Sequence, residues 1–149
     1  MNKKIFISVI ILLIGVLIAE NVYLIYKNNH STSAFVNHIN EEMYLGLNAN
    51  ELEKDKTFSF DKGPRGDGTD VSIYKVKNDE NLKAFMKKGP DKNTEDEISN
   101  VFSKVKYSDK NLFSGEYYYY EVKKDENLKK YYLLYSPSDK KLYIIRDLV

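Results

Sequence analysis

IFISVIILLIGVLIA (residues 5–19), EN (20–21) and VYLIY (22–26) decide how this chain is organised. The first segment is apolar apart from Ser8 and Gly15, and the third is apolar or amphipathic. Residues 5–26 make about 33 Å of helix at 1.5 Å per residue, enough for a hydrocarbon core of about 30 Å. Lys3 and Lys4 precede the run, whereas Lys27 and the neutral stretch NNHSTS follow it. The excess of positive charge before the span places residues 1–4 in the cytoplasm and the remainder outside it. Tyr23 and Tyr26 suit the outer interfacial belt.

A cleaved signal peptide is the alternative, since it shares the basic start. Leu17 is too large for the −3 position of a cleavage site after Ala19. Thr32, Ser33 and Ala34 suit cleavage better but lie well beyond the apolar run. The reading is therefore a single-pass, uncleaved signal-anchor in the cell membrane. Glu20 sits in the outer turn of this span. It is expected either to reach water by extending its side chain or to contact a partner helix.

Outside the span, residues 27–34 are small and polar and read as a linker or a frayed helix continuation. Residues 35–149 are about 115 in number, which is one ordinary domain. Phe35, Ile39, Met43 and Leu47 recur every four residues and predict an amphipathic helix. Its apolar stripe fits equally a helix packed on the domain and a stalk continuing from the membrane.

Strands are predicted at 57–61 and 71–76, separated by a loop with three glycines and a proline at 62–70. A short helix is expected over 79–88, stopped by Gly89 and Pro90. A longer one is expected over 95–106, with Thr94 to Glu97 as its capping box. Residues 116–123, 130–136 and 141–146 are rich in Tyr, Leu, Ile and Val and predict three strands. The fold class is α+β: an N-terminal transmembrane helix, then amphipathic helices packed on an antiparallel sheet that ends in a three-stranded meander. YKVKNDENLK (74–83) and YEVKKDENLK (120–129) agree at eight of ten positions. An internal duplication explains the match, and so does a common composition for leaving a strand.

The order of helix and strands from residue 94 to 147 resembles the small α+β PepSY-type modules of bacterial membrane-anchored proteins. The resemblance rests on Glu121 and Val122 after a helix, then Tyr132 to Tyr135, then a turn at Ser138 to Lys140. It implies a small extracytoplasmic α+β module.

Composition excludes several functions. There are 23 Lys and Arg against 22 Asp and Glu, interleaved rather than striped, so the footprint of a nucleic-acid binder is missing. The absence of cysteine removes disulfides, thiol nucleophiles, Cys-ligated zinc and lipoprotein acylation. Neither histidine, His30 nor His38, is near a third nitrogen or a thiolate in the chain that would complete a metal site. The Arg65, Gly66, Asp67 triplet and the acids Asp61, Asp67 and Asp70 read as turn-forming composition rather than an adhesion or calcium motif. No cofactor is implied.

Four consecutive tyrosines, Tyr117 to Tyr120, stand out among the chain's 13. On a strand they alternate, so one pair is expected to fill the core. The other, Tyr117 and Tyr119, is expected to face outward as a contact surface. The reading is a non-enzymatic, membrane-anchored binding or regulatory module that touches a membrane or envelope protein, with Glu20, Tyr117 and Tyr119 as contacts. Two rivals remain: a small envelope hydrolase using paired carboxylates, and an immunity or accessory protein acting through its membrane helix.

Overall fold

The computed structural model describes residues 3–60, 68–109 and 112–148. One helix, α1 (Lys3–Met43), runs unbroken for 41 residues, about 62 Å. Its N-terminal part is long and apolar enough to cross a membrane, and none of that apolar window is buried in the protein. Its C-terminal part is different: Thr32, Val36, Ile39 and Met43 are buried at spacings of three and four residues. The segment read as a linker at 27–34 is thus helical. The helix is both the continuation of the apolar run and a packed element of the domain.

Three features stop α1. Tyr44 adopts a left-handed conformation at φ 56, and the Leu45 amide reaches back to the Asn40 carbonyl at 2.9 Å. The Asn40 side chain then grips Leu47 at both ends, accepting from its amide at 2.8 Å and donating to its carbonyl at 2.9 Å.

After a 3-10 turn at Ala49–Glu51, the chain forms β1 (Leu52–Phe60), β2 (Gly68–Val76), α2 (Glu80–Phe85), β3 (Lys87–Lys88), α3 (Lys92–Lys104), β4 (Tyr118–Lys124), β5 (Lys129–Ser136) and β6 (Lys141–Leu148). The six strands make one sheet in the order β1-β2-β6-β5-β4-β3, every pairing antiparallel. The protein is α+β, with a long apolar N-terminal helix and helices on both faces of the sheet. Val36, Ile39, Met43 and α2's Leu82 cover Tyr74, Tyr131, Leu133, Tyr135, Leu142 and Ile144. On the other face Ile98, Val101 and Phe102 of α3 cover Val71, Ile73, Tyr132, Leu134, Tyr143 and Ile145. Burial on both faces explains why β5 and β6 read as continuous apolar runs rather than alternating ones.

Both sheet edges are modified. β3 is two lysines long. β1 carries a bulge between Lys54 and Lys56 that leaves Asp55 without a partner in the register. Short, charged or bulged edges resist accidental strand pairing.

Helix α3 begins three residues before the expected position, and its cap is Asp91 rather than Thr94. The Asp91 carboxylate accepts from the Thr94 amide at 2.8 Å. That bond, more than any other, holds the Asp91 carboxyl below the usual carboxylate range. Aspartate just after Gly89 and Pro90 is a stronger N-cap than threonine in the first turn. Substituting Asp91 by Ala removes this cap and is expected to lower the denaturant midpoint with an unchanged slope.

The two similar decapeptides both leave a strand into a helical turn. The first enters α2, and the second enters a 3-10 turn at Asp125–Asn127 that leads into β5. Of the glycine-rich loop expected at 62–70, residues 62–67 lie outside the described residues, as do Asp61 and the His30 side chain, while residues 68–70 belong to β2, which starts three residues earlier than expected.

Candidate functional site

The register of the sheet brings four polar side chains into one row on the α3 face. Lys123 on β4 stands opposite Lys130 on β5, Lys130 opposite Asp147 on β6, and Asp147 opposite Thr69 on β2. Above this row α3 presents Glu97, Asn100, Ser103 and Lys104 on one side of its apolar stripe. Helix and row together enclose an open groove of about 370 Å³, with Tyr132 at its floor.

Acids and bases alternate within it. Asp147, nearly buried, accepts from Thr69 Oγ1 at 2.6 Å and from Lys104 Nζ at 3.1 and 3.2 Å. Glu97 accepts from the Tyr132 hydroxyl and pairs with Lys123 at 3.2 Å and Lys130 at 3.6 Å. Glu121 lies 3.4 Å from the same Lys123. The Tyr132 hydrogen bond, and after it Lys123, outweighs burial and lowers the pKa of Glu97. Burial, and after it Glu97, raises that of Tyr132. The groove is therefore a dense set of hydrogen-bonding groups with no net charge. Such a surface suits a polar or dipolar segment that can exchange into its ion pairs, rather than a strong anion or cation.

The opposite face holds a different polar cluster. Arg146 on β6 donates to Asp70 on β2, Ser59 on β1 donates to Asp70 at 2.6 Å, and the Arg146 guanidinium lies 5.3 Å from the Phe35 ring on α1. Phe35 also stacks on Tyr74 at 6.3 Å. At the far end of α1, Glu42 pairs with Lys124 at 3.0 Å, which lowers the Glu42 pKa. These contacts seat α1 on the sheet. Asp70, one of the acids considered for calcium, is thus committed to Arg146 and Ser59. Among the described residues, no group of three or more His, Cys, Asp and Glu side chains is placed to hold a metal ion.

The expectation of an outward tyrosine pair is corrected. Tyr117 and Tyr119 are 5% and 8% exposed and lie in the cluster beneath α3, with Tyr117 5.6 Å from the Phe113 ring. Tyr118 and Tyr120 pack at the margin of the other cluster. Alternation separates the two pairs correctly, but both faces are covered, so neither pair forms an open surface. Glu20 is exposed on α1 within the apolar stretch, next to Asn21, whose amide donates to the Leu17 carbonyl at 2.7 Å. The structure brings Glu20 together with neither tyrosine. His38 is exposed on α1. The sequence did carry a signal for the groove: Glu97, Asn100 and Lys104 recur at helical spacing beside the apolar positions of α3.

The buried tyrosines predict an alkaline transition. Burial pushes the Tyr74 phenol up to about 12, and burial likewise raises Tyr132, Tyr135 and Tyr143. A phenol whose pKa is higher folded than unfolded contributes stability that is intact below its unfolded value of about 10 and is lost as pH rises beyond it. Loss of far-UV ellipticity and appearance of tyrosinate absorbance are expected to coincide above that pH. Tyrosinate appearing near pH 10 at all positions, with the ellipticity intact, would contradict the burial.

Comparison of the chain with family models, characterised proteins and solved structures gives no match.

Proposed function

We propose that this chain is a membrane-anchored extracytoplasmic binding or regulatory module of bacterial type, acting on a neighbouring membrane or envelope protein through the groove between α3 and the sheet. In this reading α1 spans the bilayer over residues 5–26 with its N-terminus in the cytoplasm. Residues 35–149 form the outer α+β domain, whose last three strands run as a meander. The observation that carries the proposal is the continuity of α1 from the apolar stretch into the domain core. A binding surface held at the membrane meets a membrane partner at high effective concentration, so modest affinity suffices. The groove offers paired donors and acceptors to a polar segment. Its carboxylate Glu97 is held low in pKa, opposite to what a general acid in a carboxylate hydrolase needs.

The test places a photo-crosslinking residue at Asn100 or Ser103 on the groove rim, and a control at Glu53 on β1, in the full chain in cells. A discrete adduct with one membrane or envelope protein from the groove positions, absent from the control, is expected. The same adduct from all three positions, or none from the groove, refutes the assignment of the groove.

A further inference from the structure

Helix α1 crosses the sheet from one side to the other, and the side on which it leaves has a consequence. Its C-terminal end lies over β4, where Glu42 meets Lys124 and the Met43 carbonyl accepts from the Tyr120 hydroxyl at 3.5 Å. Seven residues earlier, Phe35 lies between Arg146 of β6 and Tyr74 of β2. Earlier still, Thr32 and Ser33 share a small cavity with Ala49, Asn50 and Leu52, at the start of β1. The helix therefore exits the domain over β1, the outermost strand. Among the described side chains of α1, Thr32 is the first that is buried. Tyr26, the last residue of the apolar stretch, precedes it by six residues, or about 9 Å of helix. The headgroup layer on each side of a bilayer is about 5–8 Å thick.

We infer that the free edge of β1 lies against the phospholipid headgroups of the protein's own membrane. This rests on α1 spanning the bilayer, as proposed above. The sheet then stands on the membrane with β1 lowest and β3 up to about 24 Å higher, the width of five strand spacings, and the α3 groove faces sideways, clear of the lipid. The outward amides and carbonyls of β1, unpaired among the described residues, meet hydrated phosphates and water rather than another chain. Lys54, Lys56 and Lys27 stand at this boundary, with Glu53 and Asp55 between them.

A second copy does not fit the same edge. Antiparallel pairing of β1 with β1 turns the second molecule by half a turn about an axis normal to the sheet. Because α1 lies along the sheet, that turn points the second anchor away from the bilayer that holds the first.

The chain has no cysteine, so single fluorophores can be attached to the full-length protein in liposomes at Asp55→Cys on β1, Lys87→Cys on β3 and Leu17→Cys in the span. Quenching by lipids with a nitroxide on the headgroup is expected to be several-fold stronger at position 55 than at 87. Quenching at position 17 is expected only from lipids with the nitroxide on the acyl chain. Equal headgroup quenching at 55 and 87, with position 17 still deep, overturns the edge contact and leaves the anchor standing. A position 17 that acyl-chain quenchers do not reach overturns both.

Discussion

Replacing Arg146 by Met is expected to destabilise the folded domain by about 3–5 kcal/mol. The Asp70 carboxylate is 6% exposed and holds Arg146 and the Ser59 hydroxyl as partners. Methionine restores most of the side-chain volume but removes the guanidinium that pairs with this nearly buried carboxylate, and most of the cost comes from that lost ion pair. The guanidinium also covers the Phe35 ring, so the substitution loosens the seat of α1 as well as the β2–β6 pairing. The double variant Asp70→Leu with Arg146→Met removes both charges and is expected to recover most of the loss. Urea titration of the full chain in detergent, followed by far-UV ellipticity, measures both. A single variant as stable as the parent would mean that Asp70 is open to water.

The second large effect is expected from Ala34→Pro. Ala34 is exposed, so no packing is lost. Proline removes the amide that bonds to the carbonyl four residues earlier and pushes its ring against that carbonyl, at a cost of about 3 kcal/mol in a helix interior. Position 34 lies between the apolar stretch and the buried residues Val36, Ile39 and Met43. The damage therefore falls on the junction of the apolar stretch and the domain. The variant is expected to lose helicity and to show a weakened difference in headgroup quenching between labels at 55 and 87. Ala34→Gly, which keeps the amide, is expected to cost about 1 kcal/mol. Equal behaviour of the Pro and Gly variants would show that the helix is already interrupted there.

Much of the architecture was legible because its signals are local. The apolar run of α1 and the β-rich composition of β5 and β6 each act within a few residues, whereas the helix expected to run to Gly89 and Pro90 ends at Phe85, because Lys87 and Lys88 pair with β4 instead. The continuity of α1 through NNHSTS was one of two open readings, a linker being the other. Asn, Ser and Thr are poor helix formers, and the helix persists there because it is helical on both sides and buries Thr32. The first half of β1, LEKDK, carries edge charges that mask its strand character. The pair of lysines in β3 is a strand only because Tyr118 and Tyr119 of β4 accept it. The faces of Tyr117 to Tyr120 followed from alternation, but which face was covered depended on both α1 and α3. The groove was least legible of all. Thr69, Glu97, Lys123, Lys130 and Asp147 come from five elements and meet only through the sheet register.

The central claim is that one rigid helix is shared between the apolar stretch and the domain core. Spin labels at Leu17→Cys and His38→Cys, both exposed on α1, test it most directly by dipolar distance measurement on the full chain in liposomes. An unbroken helix places the two Cα atoms about 32 Å apart and predicts a single narrow distance distribution there. A broad distribution, or one centred well below that value, would mean that the helix breaks between the anchor and the domain.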